Sequence, residues 1–381
     1  MRVEAVKKMS HKRLLYIDNL RTLLTILVIM FHLAITYGSP VGDWQYKEGQ
    51  PGAIESIFYT TFVAVVQAFS MGFFFLISGY FTPGSFDRKG AGAFLRDRML
   101  RLGVPLLVYL IFIDPVIAFV LALSGGFNGT YLEFLEVFLG DYRGLGSGPL
   151  WFLEALLIFS FGYALIRRLW RASDIESKVP GNGVIAFFAL ALGVVSFVVR
   201  IWLPLGYNFA LLNLQIPFFP QYIALFAIGV LAYRGDWLTQ VSREDGRLWI
   251  KVSIVLITLF PVLLALGAPD GDPSRFAGGF HWQAFTLAIW EQFTCVAIVF
   301  ALTVLFRVRY DSQVSLAKAM SESAYTAYVI HAPVIILLAL GLRGVRLPLL
   351  HKWMIVSGLA VPLCFAFGYY IRRQPIAQRI L

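Results

Sequence analysis

Charge is scarce in this chain. Only 14% of its 381 residues are Asp, Glu, Lys or Arg, where a soluble domain carries about a quarter. With a mean hydropathy of +0.73, this excludes an ordinary water-exposed globular domain. Cysteine is scarcer still. Cys295 and Cys364 are the two present, and both lie inside apolar runs. Neither a disulfide framework nor a metal site follows from them, and no metal is expected. Acid is outnumbered, with 22 Asp and Glu against 32 Lys and Arg, a net charge of +10. The bases cluster between apolar runs, which points to membrane topology and not to nucleic acid.

What the chain does have is long apolar runs, many approaching 20 residues. The start, MRVEAVKKMSHKR and then an apolar stretch, mimics a signal peptide. The stretch from about Leu14 to Tyr37 exceeds the roughly 7–15 residues of a signal core, so a retained first span is expected. The fold class read here is an all-α polytopic membrane protein of about ten transmembrane helices. They run roughly over 14–37, 57–81, 102–123, 150–169, 183–203, 217–233, 248–267, 282–306, 323–341 and 353–371. Together they make a single integral-membrane domain over 1–381.

The segments between spans alternate in basicity. One set holds Lys7, Lys8, Lys12 and Arg13, then Arg88, Lys89, Arg96, Arg98 and Arg101, then Arg167, Arg168 and Arg171. It continues with Arg234, Arg243 and Arg247, then Arg307, Arg309 and Lys318, and ends in Arg372, Arg373 and Arg379. The other set is sparse: Lys47, Arg143, Arg275, Arg343, Arg346 and Lys352. The positive-inside rule then puts both termini in the cytoplasm, and the expected site is the bacterial plasma membrane. The outer loops hold Trp44, Trp282, Asp270 and Asp272, which suit either interfacial anchoring or contact with a sugar.

Against this background a few polar groups stand out. Arg21 and His32 are eleven residues apart, roughly 16 Å along a helix. Eleven steps of about 100° return to within about 20° of whole turns, so both share one face. Arg21 either pairs with Asp18 one turn back or opens a polar track toward His32. Charged groups at membrane depth are functional candidates by default. Glu154, Glu291 and His331 are therefore candidates too, each with the alternative of joining helices by hydrogen bonds. Asp114 precedes Pro115 and is read as relieving the backbone break there. Arg98 and Arg101 share a face, while Arg96 lies on another. Two forked guanidiniums on one face suit a phosphate-rich ligand, and a stop-transfer flank is the plainer alternative.

These residues carry a resemblance. YIDNLRTLLTILVIMFH resembles the first span of the membrane-bound acyltransferase 3 family, marked by an arginine, ten residues and a histidine. FFFLISGYF at 73–81 resembles its aromatic-aromatic-x-x-Ser-Gly-Tyr segment. RMLRLGVP at 98–105 resembles its Arg-x-x-Arg element and following proline. LWFLEALLIFS and SAYTAYVIHAPVI resemble its later Trp-Phe-Leu and Tyr-x-x-His-x-Pro segments. The likeness spans nearly the whole chain and leans toward the branch of glucan-succinylating proteins. It implies transfer of an acyl group, acetyl or succinyl-like, from cytoplasmic acyl-CoA to a hydroxyl of an extracytoplasmic acceptor, often a carbohydrate. Acyl-CoA enters as a donor substrate, with no tightly bound cofactor.

On that resemblance Arg21, Arg98 and Arg101 hold the CoA phosphates at the cytoplasmic mouth, and the thioester reaches along the track to His32. His32 is then a general base toward the acceptor hydroxyl or itself the nucleophile. Glu154 or Glu291 orients its ring, and His331, Trp151 and Ser78 contact substrate. A rival class is a transporter or flippase of an anionic solute, which also needs a cationic track at mid-membrane. It predicts an internal repeat and paired broken helices, and the sequence displays neither.

Overall fold

The computed structural model describes residues 13–140, 147–170, 178–209, 212–269 and 271–381. Lys7, Lys8, Lys12, Arg143, Arg171 and Asp270 lie outside them. The described residues build helices: α1 Leu15–Thr36, α2 Ala53–Arg98, α3 Val104–Val108, α4 Asp114–Ser124, α5 Tyr131–Gly140 and α6 Trp151–Leu169. There follow α7 Asn182–Trp202, α8 Phe219–Gly235, α9 Arg243–Gly267, α10 Trp282–Arg309, α11 Ser315–Gly341 and α12 Leu349–Arg372. No strand forms among them beyond an isolated bridge between Phe209 and Leu214.

Nine helical segments among the described residues are long and apolar enough to cross a membrane, so the chain is a multi-pass membrane protein. Ten spans were expected. The difference lies in one uninterrupted run of 72 residues, Ala53–Ser124, which contains both 57–81 and 102–123. A straight helix of that length would reach about 110 Å, over three times the apolar thickness of a bilayer. Gly90 folds the run instead, with φ +74° and ψ 166°. This is a conformation that only glycine adopts at no cost. Lys89 and Asp97 form an ion pair across the kink at 2.9 Å. Hydropathy reads the polar stretch 82–101 as a loop because it cannot register a polar helix. The run then passes Arg98 and Arg101 through a π-type turn, Met99–Gly103, and a second one at Tyr109–Ile113.

Lipid supplies no hydrophobic drive between helices, so close approach of backbones matters more. Helices α2 and α8 use it directly. A Cβ on Gly79 would lie 2.2 Å from the Phe226 carbonyl oxygen, and one on Gly229 would lie 2.1 Å from that of Leu76. Gly79 is the glycine of FFFLISGYF, and this contact gives it a packing role. At one end of the bundle Asp87 joins α6 to α8, pairing with Arg167 at 3.2 Å and Arg234 at 2.9 Å. Asn19 of α1 donates to the Tyr310 carbonyl at the close of α10 at the same end. The opposite end is tied by a pair of Lys352 with Glu48 and by Gln45 donating to Asp114 at 2.9 Å. Asp114 thus serves as an acceptor for a loop side chain rather than for the break at Pro115.

Candidate active site

The three arginines singled out above converge. Helix α1 contributes Arg21, the end of α2 contributes Arg98, and the π-type turn contributes Arg101. The hydroxyl of Tyr325, on α11, lies within electrostatic reach of all three, and it donates a hydrogen bond to the Arg101 carbonyl. Their pairing is incomplete. Arg21 stands 3.9 Å from Asp18, which Arg13 engages at 2.6 Å. Arg101 is 58% exposed and only 3.4 Å from Asp97 at its nearest. Arg98 lies over the Phe94 ring at 5.1 Å, and its Nε is buried with no hydrogen-bond partner. Forked donors that keep N–H groups to spare are suited to a multiply charged anion. Tyr325 was not anticipated, although it stands one turn before Tyr328 in the quoted Tyr-x-x-His segment.

Further along α1 and α11 two histidines meet. Nε2 of His331 is 3.1 Å from Nδ1 of His32, with ring centroids 5.0 Å apart. Nδ1 of His331 lies 2.5 Å from the Tyr328 carbonyl oxygen. A carbonyl only accepts, so this nitrogen carries the proton. In a neutral ring Nε2 is then an acceptor, which makes Nδ1 of His32 the donor. Nε2 of His32 keeps its lone pair, the state a general base or nucleophile requires. His331 is fully buried.

A narrow cavity of about 40 Å³ opens beside this pair. It is lined by Val28, Phe31, His32, Gln67, Ser70, Met71, Pro149, Trp151 and Tyr328. Val28 and Tyr328 precede the two histidines on their helices, so the cavity lies on the arginine side of the pair. Trp151 stacks on Tyr222 with centroids 5.5 Å apart, whose hydroxyl accepts from Gln67 at 3.2 Å. On the other side, the loop after α1 lays Trp44 over His32, with centroids 4.1 Å apart and planes 31° apart.

The remaining candidates fall elsewhere. Ser78 does not line the cavity. Its carbonyl accepts from the Thr82 hydroxyl at 2.7 Å, and that hydroxyl in turn lies 3.5 Å from Arg98. Glu154 is half-buried one turn after Trp151 and has no hydrogen bond to His32. Glu291 does not reach His32. Both its oxygens are taken by Arg200, at 2.8 and 3.0 Å, and Gln292 reaches one of them at 3.4 Å. Arg200 is 1% exposed, so this carboxylate neutralises a buried cation and does not orient His32. The side chain that meets the His32 ring is His331, expected above to contact substrate. Arg200 was not singled out in the sequence, although it lies in the last turn of an apolar span and the rule for charges at membrane depth applies to it equally.

The acyltransferase-domain model of acyltransferase family 3 matches residues 14–369. The chain belongs to acyltransferase family 3. Among curated family relatives it is similar to glucans biosynthesis protein C of Escherichia coli SMS-3-5 / SECEC and of Escherichia coli O1:K1 / APEC. Each is 25% identical over 233 residues, 57% of this chain and 57% of the relative. The chain thus spans little more than half the length of these relatives. No solved structure matches it.

Proposed function

We propose that this family 3 protein transfers an acyl group from acyl-CoA to a hydroxyl of an extracytoplasmic acceptor, with His32 as general base. The observation that carries the reading is the His32–His331 pair, opening on a cavity on the side where Arg21, Arg98 and Arg101 gather. CoA matches that layout, with phosphates at one end, a long thin arm and a thioester at the other. The guanidiniums hold the phosphates, and the roughly 16 Å from Arg21 to His32 is a span the arm can cover.

In the transfer step, Nε2 of His32 takes the acceptor hydroxyl's proton as the oxygen attacks the thioester carbonyl. The new C–O bond forms, the tetrahedral centre collapses, and the C–S bond breaks. His32 returns the proton to the departing thiolate, leaving ester and free CoA thiol. His331 holds the ring in the reactive tautomer and shares the positive charge that develops on it. The relatives' name, glucans biosynthesis protein C, supports a carbohydrate as the acceptor.

The test is purified protein in liposomes loaded with succinyl-CoA or acetyl-CoA, with soluble glucan oligosaccharides outside. Mass analysis should find acylated oligosaccharide outside and free CoA thiol inside. Solute crossing unmodified with the thioester untouched contradicts the reading and favours a transporter.

A further inference from the structure

We propose that Trp44 is the residue that makes the site a transferase and not a thioester hydrolase: it closes the acceptor side of His32 to water and yields that side to a saccharide. This rests on the acyl-transfer reading and on the orientation given by the loop charges.

His32 has two approaches. The arginine side opens on the small cavity already described. The other side is covered by the Trp44 indole, stacked on His32 and lying at 19° to His331 with centroids 6.3 Å apart. Trp44 is not part of the cavity lining. It belongs to the loop joining α1 to α2, so an acceptor arriving from that end meets it before the histidine.

The loop is built to hold the indole there. Gly42 has φ +92°, and a Cβ on it would fall 2.7 Å from Cδ1 of Ile35. Only glycine lets the chain double back so closely on the end of α1. Val41, Trp44 and Tyr46 all pack on the apolar core. The segment that follows Trp44 is tied down twice. Gln45 donates to the buried Asp114 at 2.9 Å, and Glu48 pairs with Lys352, itself 2% exposed. The Glu48 backbone N–H also donates to the Thr36 carbonyl at 2.8 Å.

The Trp44 Nε1–H is buried and has no partner. It can only donate, so what completes it is an oxygen acceptor. A saccharide brings a hydroxyl to be acylated and neighbouring oxygens to accept from this N–H, together with a ring to lie against the indole. Until it arrives, the indole excludes water. If water reaches the thioester instead, its oxygen bonds to the carbonyl carbon and the C–S bond breaks. The proton passes through His32 to the thiolate, and the products are a carboxylic acid and CoA thiol. Exclusion of water until the acceptor is bound is a general requirement of group transfer.

The experiment measures free-thiol release from succinyl-CoA by the purified full chain, with and without glucan oligosaccharides. In Trp44→Ala, acceptor-independent release should rise on the order of tenfold, the factor about 1.4 kcal/mol represents. The acceptor KM should rise with it, while succinyl-CoA affinity stays at the parent value. Trp44→Phe keeps a ring without the N–H, so it should restore the low hydrolysis rate and leave the acceptor KM raised. If Trp44→Ala does not accumulate folded, Gln45→Ala frees the loop with the indole intact and should raise hydrolysis in the same direction. Parent-like hydrolysis and acceptor KM in the folded variants overturn the proposal while leaving the acyl-transfer reading standing. A parent that neither binds nor consumes succinyl-CoA or acetyl-CoA overturns both.

Discussion

His331 stands 3.1 Å from His32 across two helices and 299 residues of sequence, with its far nitrogen on the Tyr328 carbonyl. The hydrogen-bond polarity of that chain runs one way, from His32 Nδ1–H to His331 and from His331 Nδ1–H to the backbone. Each neutral ring then keeps one unprotonated nitrogen: that of His331 accepts from His32, and that of His32, Nε2, stays outside the pair's hydrogen bond.

His331→Ala therefore removes the acceptor that fixes the His32 tautomer. Turnover should fall by about 10²-fold or more, within the range general-base catalysis contributes. Acyl-CoA affinity should change little, because the arginines are untouched. His331→Gln can offer a carbonyl oxygen to His32 and should recover part of the loss. Steady-state turnover and calorimetric affinity, measured on the same preparations, separate the two effects.

The arginine cluster should behave in the opposite way. A charge-assisted contact contributes about 1.5–3 kcal/mol, so Arg21→Ala, Arg98→Ala or Arg101→Ala should raise the Kd for succinyl-CoA roughly tenfold to a hundredfold. Arg98→Lys should recover only part, because a point charge lacks the planar fork that leaves Nε seeking an acceptor. Calorimetry on folded variants decides this. Unchanged affinity in all three means that the cluster serves topology alone.

The Arg200–Glu291 pair should report on stability, not chemistry. Glu291→Ala strands a buried guanidinium and should cost about 3–5 kcal/mol. The double change Arg200→Met with Glu291→Leu removes both charges and should regain much of that. Thermal unfolding in detergent measures the loss and the recovery.

Gly79→Ala and Gly229→Ala should each force α2 and α8 apart, since the added carbon has only backbone to meet. Overpacking of this kind costs about 1–3 kcal/mol. The expected outcome is a lowered Tm in both single variants. The double variant should fall short of the sum, because one separation relieves both contacts.

Much of this was legible in the sequence, for identifiable reasons. Apolar runs mark the spans because the bilayer demands length. The eleven-residue phase between Arg21 and His32 marks one face because a single helix carries both. Arg98 and Arg101 read together for the same reason. The partners of these groups were less accessible. His331 reaches His32 only through the packing of α1 against α11, and periodicity within one helix carries no information about another. Glu291 looked like a companion for His32 because its true partner, Arg200, sits on another helix, 91 residues away. Trp44 reaches His32 through the tight turn at Gly42, which hydropathy does not register. Helix α5 was not among the expected elements, although its capping pair stands in the sequence: the Thr130 N–H donates to Glu133 at 2.6 Å and the Glu133 N–H to the Thr130 hydroxyl at 3.3 Å.

The central claim is that His32 performs the chemistry and does not hold the donor. The most direct measurement pairs succinyl-CoA affinity with single-turnover acyl transfer to glucan oligosaccharides, for parent and His32→Ala protein shown to be folded. The account predicts parent-like affinity with transfer lost in His32→Ala. Transfer at the parent rate by folded His32→Ala protein contradicts it.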